Sequence, residues 1–228
     1  MSLKAAIVLA GCGRGDGSEI TEAVSCLVHL SRSGVDYKCF APDAPQADVV
    51  NHATGQLAIE KRNMLVEAAR IARGDILPLA QLHSEDFDMV IFPGGFGAAK
   101  NLCTFAHDGP ECRVLPDVER VIKTFHGAGK PIGLVCIAPV LAARVLGSAS
   151  GGAGCEVTIG RDSAAAEAIA KMGARNVPRD VSEAYVDAAN NLFSTPAYMC
   201  DAKPHEVFTG IGVMIDALVA SLQPAGVR

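Results

Sequence analysis

No stretch of the chain gathers charges of one sign, no apolar run is long enough to cross a membrane, and no two cysteines stand at Cys-x-x-Cys spacing. Each absence excludes something. With 20 basic and 25 acidic residues the net charge is −5 and it is spread along the chain, so neither a nucleic-acid backbone nor an anionic membrane is an expected partner. The most hydrophobic stretch, Val207–Leu222, is interrupted by Asp216 and is shorter than the roughly 18 apolar residues of a span; a soluble chain is expected. Met1–Ala10 lacks the charged-then-apolar build of a secretory leader, so secretion is not expected, although a presequence already removed would leave no trace.

The eight cysteines, at 12, 26, 39, 103, 112, 136, 155 and 200, follow no repeated interval, and in a chain of this size they read as reduced intracellular thiols rather than as staples. The six histidines are scattered, without the short spacings that put metal ligands on one helix face, so no metal site is expected.

What is present is a chain of 228 residues, half of them hydrophobic, enough to bury roughly 70–75% of the extended surface in one domain spanning 1–228. Lys4–Gly11 is a continuous apolar run ended by glycine, the pattern of a strand buried on both faces of a parallel sheet. Ser18 is the expected N-cap of a helix whose stripe is Ile20, Ala23, Val24, Leu27 and Val28. Strands are expected at Val35–Ala41, Met89–Phe92, Ile132–Val135 and Glu156–Ile159, and helices at Lys61–Arg73, Pro116–Ala128, Pro139–Leu146 and Ala164–Met172. Gly147–Gly154 reads as a flexible surface loop, and Glu183–Asp187 with Leu192–Thr195 as a hairpin-like pair before a closing helix. Strand and helix in alternation imply an α/β, doubly wound, mostly parallel sheet with helices on both faces.

In such a sheet ligands bind beyond the carboxyl ends of the strands, which directs attention to Gly11–Glu19, Pro93–Asn101 and Cys136. Cys136 lies one residue past a buried strand and just before a helix opening with Pro139, the setting of a nucleophile elbow, where the helix dipole would lower the thiol pKa. An inert buried cysteine fits the local sequence as well. Glu19, at the first turn of the first helix, reads either as a dipole-complementing carboxylate or as the acid–base partner of the thiol. The Pro93-Gly94-Gly95-Phe96-Gly97 loop suits one arm of an oxyanion hole whose other arm is the Ile137 amide, yet as a bare pattern it is a strand-to-helix turn. Its spacing is not that of a phosphate loop, so Lys100 is not a nucleotide lysine, and Gly11–Gly17 misses the third glycine of a dinucleotide fingerprint. Cys12 is either a second thiol of the site or a packed small residue. No histidine follows Cys136 until His205, so nothing local supplies a Cys-His dyad.

The blocks Gly11-Cys-Gly13, Asp16-Gly-Ser-Glu19, Phe40-Ala-Pro-Asp43, Pro93–Asn101, Cys136-Ile-Ala-Pro139 and Thr195-Pro-Ala-Tyr-Met199 together resemble the ElbB family, which is similar to the PfpI and class I glutamine amidotransferase-like superfamily. The resemblance covers nearly the whole chain apart from Gly147–Gly154. It implies a flavodoxin-like fold, Cys136 as nucleophile, Glu19 as its acid partner and the Gly95 and Ile137 amides as oxyanion hole, with Cys12, Asn101 and Tyr198 bordering the substrate. It also implies a cofactor-independent enzyme, either a glutathione-independent glyoxalase that converts glyoxal or methylglyoxal to glycolate or lactate through a cysteine hemithioacetal, or a related deglycase. Peptidase-like members of the superfamily carry histidine where Ile137 stands, which disfavours amidase or peptidase chemistry and implies slow turnover. A non-enzymatic thiol sensor or a binding protein using the same cleft is the alternative, and a glutaminase-type subunit a third. A homodimer is expected on base rates, and the cytoplasm, or the mitochondrial matrix for a eukaryotic source, is the expected location.

Overall fold

A computed structural model describes residues 2–223, so the ends of the expected 1–228 unit lie outside the described residues. Seven strands form the central sheet: β1 (Lys4–Val8), β2 (Asp36–Ala41), β3 (Ile76–Pro78), β4 (Met89–Phe92), β5 (Ile132–Val135), β6 (Tyr185–Asp187) and β7 (Leu192–Thr195). Their order is β6-β7-β5-β4-β1-β2-β3. Every pairing is parallel except β6 with β7. The chain leaves β1 toward β2 and β3 and then returns to place β4 on the other side of β1, so the switch point of this α/β sheet lies between β1 and β4.

Alternation along the strands decides which residue meets which layer. Ala6, Val8, Val90, Phe92 and Leu134 face one apolar cluster, shared with helices α4 (Pro116–Gly127), α5 (Pro139–Leu146) and α6 (Ser163–Lys171). Ala5, Ile7, Met89, Ile91 and Val135 face the other, closed by α1 (Ile20–Arg32) and α7 (Pro204–Ser221). Helix α2 (Met64–Ile71) covers the β3 edge, and the short α3 (Phe96–Lys100) follows β4. No described helix is long and apolar enough to cross a membrane.

Four expectations need correction. The N-cap of α1 is Glu19, whose carboxylate accepts the Glu22 N–H at 2.8 Å, whereas Ser18 is fully buried with its Oγ accepting the Ala10 N–H at 2.9 Å. The helix is also turned relative to the expected stripe: Ile20, Val24 and Val28 are exposed, and Glu22, Ala23, Cys26, His29 and Leu30 face inward. The reason is close packing, since small side chains let α1 approach the sheet, and His29 lies so near Gly212 of α7 that a Cβ there would stand 2.5 Å from the ring. Glu156–Ile159 is not part of the central sheet; Glu156–Val157 pairs only with Arg175–Asn176. Gly147–Gly154 is a compact turn, not a loose loop, because Gly147 and Gly152 bring backbone within 2.1 Å of where a Cβ would sit.

The loops after β1 and β4 are joined by Glu19 N–H to Gly94 O (3.0 Å), Phe96 N–H to Arg14 O (2.8 Å) and Gly97 N–H to Gly17 O (2.8 Å). A Cβ at Gly97 would lie 2.5 Å from the Gly17 backbone, while one at Gly127, the last residue of α4, would meet nothing. Gly97→Ala should therefore lower the unfolding free energy by about 1–3 kcal/mol, and Gly127→Ala should raise it by up to about 1 kcal/mol. Urea titration of both variants checks the pair.

Candidate active site

Cys136 follows β5 directly and holds φ at +61°, a conformation unusual for a residue with a Cβ and costing on the order of 1–3 kcal/mol. Its N–H is tied to Thr195 O at 2.9 Å, which anchors the elbow to β7 and aims the thiol away from the strand. The backbone N–H groups of Gly95 and Ile137 stand near the sulfur, where they favour its ionised form. These are the two amides expected on sequence grounds to flank it.

The carboxyl against the thiol is Glu22, one helical turn beyond Glu19. Glu22 is fully buried and stands beside Cys136, whose thiol favours the Glu22 carboxylate. One oxygen accepts the Gly94 N–H at 3.1 Å and the other the Tyr198 N–H at 3.3 Å. Gly94 has to be glycine, since a Cβ there would stand 2.5 Å from the Cβ of Cys136 and 2.6 Å from Glu22 Oε2.

Glu19 is half-buried at the edge of the same cavity, where its carboxylate caps α1. Sequence reasoning chose Glu19 because it stood nearest the strand end. The sign that pointed to Glu22 was a carboxylate set among Ala23, Ser25 and Cys26, small residues that mark the close-packed face.

Electrostatics depart from the expectation of a thiol acidified by a helix dipole. Burial, followed by the charge of Glu19, pushes the Glu22 carboxyl up to about 8. Burial also pushes the Cys136 thiol well above its usual value, with the charge of ionised Glu22 adding to it and the Gly95 and Ile137 amides opposing it. Ionised Glu22 disfavours a thiolate, whereas the Cys136 thiol favours the Glu22 carboxylate, so as pH rises the carboxyl gives up its proton first and the remaining one stays on sulfur. A thiolate therefore forms only when Glu22 takes the proton from sulfur, and the Gly95 and Ile137 amides favour it at that moment.

Cys136 and Glu22 lie in a cavity of about 680 Å³. Tyr198 lines it, in a turn where Ala197 holds φ at +45°. Phe96, Phe105, Pro110, Ile137 and Met199 supply apolar wall. No histidine lines it among the described residues; His29 binds Phe208 O at 2.9 Å and His52 the Gly15 N–H at 3.0 Å, both elsewhere.

Two expected pocket residues are not there. Asn101 is buried as a staple, its Nδ2 donating to Ala10 O and Asp16 O at 2.8 Å and its Oδ1 accepting the Ala47 N–H at 2.9 Å. Cys12 packs on the other side of the loop, bridged to Ser18, with burial raising its thiol. Among the described residues no cluster of His, Cys, Asp and Glu is arranged to hold a metal.

No family model matches the chain. It is 52% identical over 222 residues to a human protein named Glutamine amidotransferase-like class 1 domain-containing protein 3, mitochondrial, with 93% of this chain and 81% of that protein covered. It is 51% identical to the rat ES1 protein homolog, mitochondrial, over the same shares of both chains. A crystal structure from Ehrlichia chaffeensis, of an isoprenoid biosynthesis protein with amidotransferase-like domain, superimposes with a TM-score of 0.91 at 41% identity, covering 97% of this chain and all of that one. Drosophila melanogaster DJ-1beta, at 17% identity and a TM-score of 0.55, shares the fold.

A carboxyl whose pKa is raised by folding costs stability as pH rises, because the native state then holds a proton that the unfolded chain has released. The window runs from the ordinary 4.5 to about 8. Since each pKa unit corresponds to about 1.4 kcal/mol, Glu22→Gln, which keeps a neutral side chain throughout, should gain at least about 2 kcal/mol on the wild type between about pH 5 and pH 8. Denaturant unfolding across that range measures it; a constant difference would contradict a protonated Glu22.

Proposed function

The chain belongs to the family of the ES1 proteins and Glutamine amidotransferase-like class 1 domain-containing protein 3, and from that premise we propose that it is a cofactor-independent glyoxalase-like enzyme using Cys136 as nucleophile. The closer kinship with ElbB proteins, and the glyoxal or methylglyoxal substrate that goes with it, are part of the proposal. The observation that supports it is a buried carboxyl set against a buried thiol, with two backbone amides near the sulfur.

Each step of the route has a named group to serve it. Glu22, as a carboxylate, takes the thiol proton while Cys136 adds to one aldehyde carbon of the dicarbonyl. The new oxyanion is held by the Gly95 and Ile137 amides and takes the proton from Glu22, leaving a hemithioacetal. Glu22, now a carboxylate, removes the C–H proton from that carbon and returns it to the neighbouring carbonyl carbon by way of an enediol, while the hydroxyl proton moves from the first oxygen to the second. The first carbon is thereby oxidised to a thioester and the second reduced to an alcohol. Water then cleaves the thioester and frees the thiol, so glyoxal plus water yields glycolate and a proton. One carboxyl acts as acid and base in turn, the task for which a pKa near the working pH is suited. Glu19 caps α1 and, through its charge, helps to keep Glu22 protonated.

A thiol sensor is less well supported, since sensor cysteines are exposed and of low pKa, whereas Cys136 is buried and pushed up. The mitochondrial designation of the human and rat relatives favours the mitochondrial alternative for this chain.

Glycolate formed from glyoxal, measured directly as product, tests the reading. Cys136→Ala and Glu22→Gln should each lose at least about 100-fold in kcat/KM, the scale of a lost nucleophile or general acid–base, and Glu19→Gln less than about tenfold. No glycolate from the wild type, or a greater loss in Glu19→Gln than in Glu22→Gln, would overturn it.

A further inference from the structure

The cavity is far larger than the reaction just described requires, and its composition changes along its length. Around Cys136 the groups are polar: the Glu22 carboxyl and the two amides. Beyond them the wall is Phe96, Phe105, Pro110 and Met199, with Ala165 and Ala168 of α6 forming a low, smooth side. Phe96 keeps half of its surface exposed. Of the other charged lining groups, Arg14, Lys171, Asp162 and Glu167 are exposed and Glu19 is half-buried, so both signs are mixed at the rim with one negative charge in excess.

Glyoxal has two carbons and no apolar surface. Bound at Cys136 it would leave this wall in water and draw no binding energy from it. A volume of about 680 Å³ lies within the roughly 300–1,000 Å³ of sites that enclose ligands of drug-like size. Binding energy from a remote, unreactive part of a substrate is what an enzyme uses to position the reacting centre, and here the surface able to supply it is apolar.

Resting on the proposed chemistry at Cys136, we propose that the preferred substrates are 2-oxoaldehydes carrying an apolar arm, a short alkyl chain or an aromatic ring, with the arm lying along Phe96, Phe105 and Ala168. The reacting end is processed as above, with the aldehyde carbon oxidised to the carboxylate and the ketone reduced, so the product is a 2-hydroxy acid bearing the same arm. In this reading Phe105 and the α6 alanines determine specificity and take no part in the chemistry.

Two measurements separate this inference from the reading beneath it. In the first, kcat/KM is compared for methylglyoxal and its butyl- and hexyl-armed homologues; burial of each methylene is worth about fourfold at most, and a gain of at least about tenfold from methyl to butyl is expected. Ala164→Phe, which puts a ring into the arm's space from an exposed position on α6, should cut that preference about tenfold, and Phe105→Ala should weaken it too. In the second, Cys136 is labelled with iodoacetamide and with its N-hexyl derivative, which requires no turnover. Faster labelling by the hexyl reagent, slowed in Ala164→Phe, supports the arm site even if no dicarbonyl is consumed, in which case the glyoxalase reading alone fails. Slower labelling by the hexyl reagent, or a kcat/KM that falls as the arm grows, would overturn the inference.

Discussion

Placing a carboxylic acid in the interior against a thiol is the constraint on which the rest of the molecule depends. Ionised and unpaired, Glu22 would be costly to bury; it is retained neutral, or as one member of a pair sharing a proton, with the Gly94 and Tyr198 amides and the Cys136 thiol as partners. Those partners come from three segments and Glu22 from a fourth, so the pair forms only when β4, β5, β7 and α1 are assembled. The glycines at 94, 95 and 97 follow from the same demand: each lies where a Cβ would be within 2.5 Å of the opposing chain. The positive φ of Cys136 and of Ala197 is strain held in place by that assembly, and it falls on the turns that present the thiol and Tyr198 to the cavity.

Much of the fold was legible because its central strands are buried on both faces. Met89–Phe92, Ile132–Val135 and Leu192–Thr195 are unbroken buried runs, and for such strands hydrophobicity, length and flanking turns leave little freedom. The edge strand Ile76–Pro78 is only partly buried and has no such mark. Helix α1 misled the periodic reading because two stripes compete on it: the larger side chains of Ile20, Val24 and Val28 point outward, while the inward face is made of small residues plus Glu22 and His29. Hydrophobic periodicity weighs size, and close packing selects against it.

The arrangement of the candidate site was legible around Cys136, Gly95 and Ile137, where the chain's local path from strand to turn to helix dictates the geometry. It was not legible at the carboxyl, because choosing between Glu19 and Glu22 requires the helix rotation. Asn101 shows the same limit in another form: a polar residue next to a glycine-rich loop can serve a ligand or the loop itself, and here it ties three backbone segments together. Among the described residues no histidine lines the cavity, and the consequence is chemical. With no imidazole at the thiol, proton transfer falls to a carboxyl, and a carboxyl can do that work near neutrality only if its pKa is raised by the burial seen at Glu22.

That raised carboxyl is best observed directly, by infrared difference spectroscopy of the carboxylic-acid C=O band as pH is varied. The account predicts a band that titrates near pH 8 in the wild type, persists in Glu19→Gln and is missing from Glu22→Gln. A band that has vanished by the ordinary carboxylate range, or one that survives in Glu22→Gln, would contradict it.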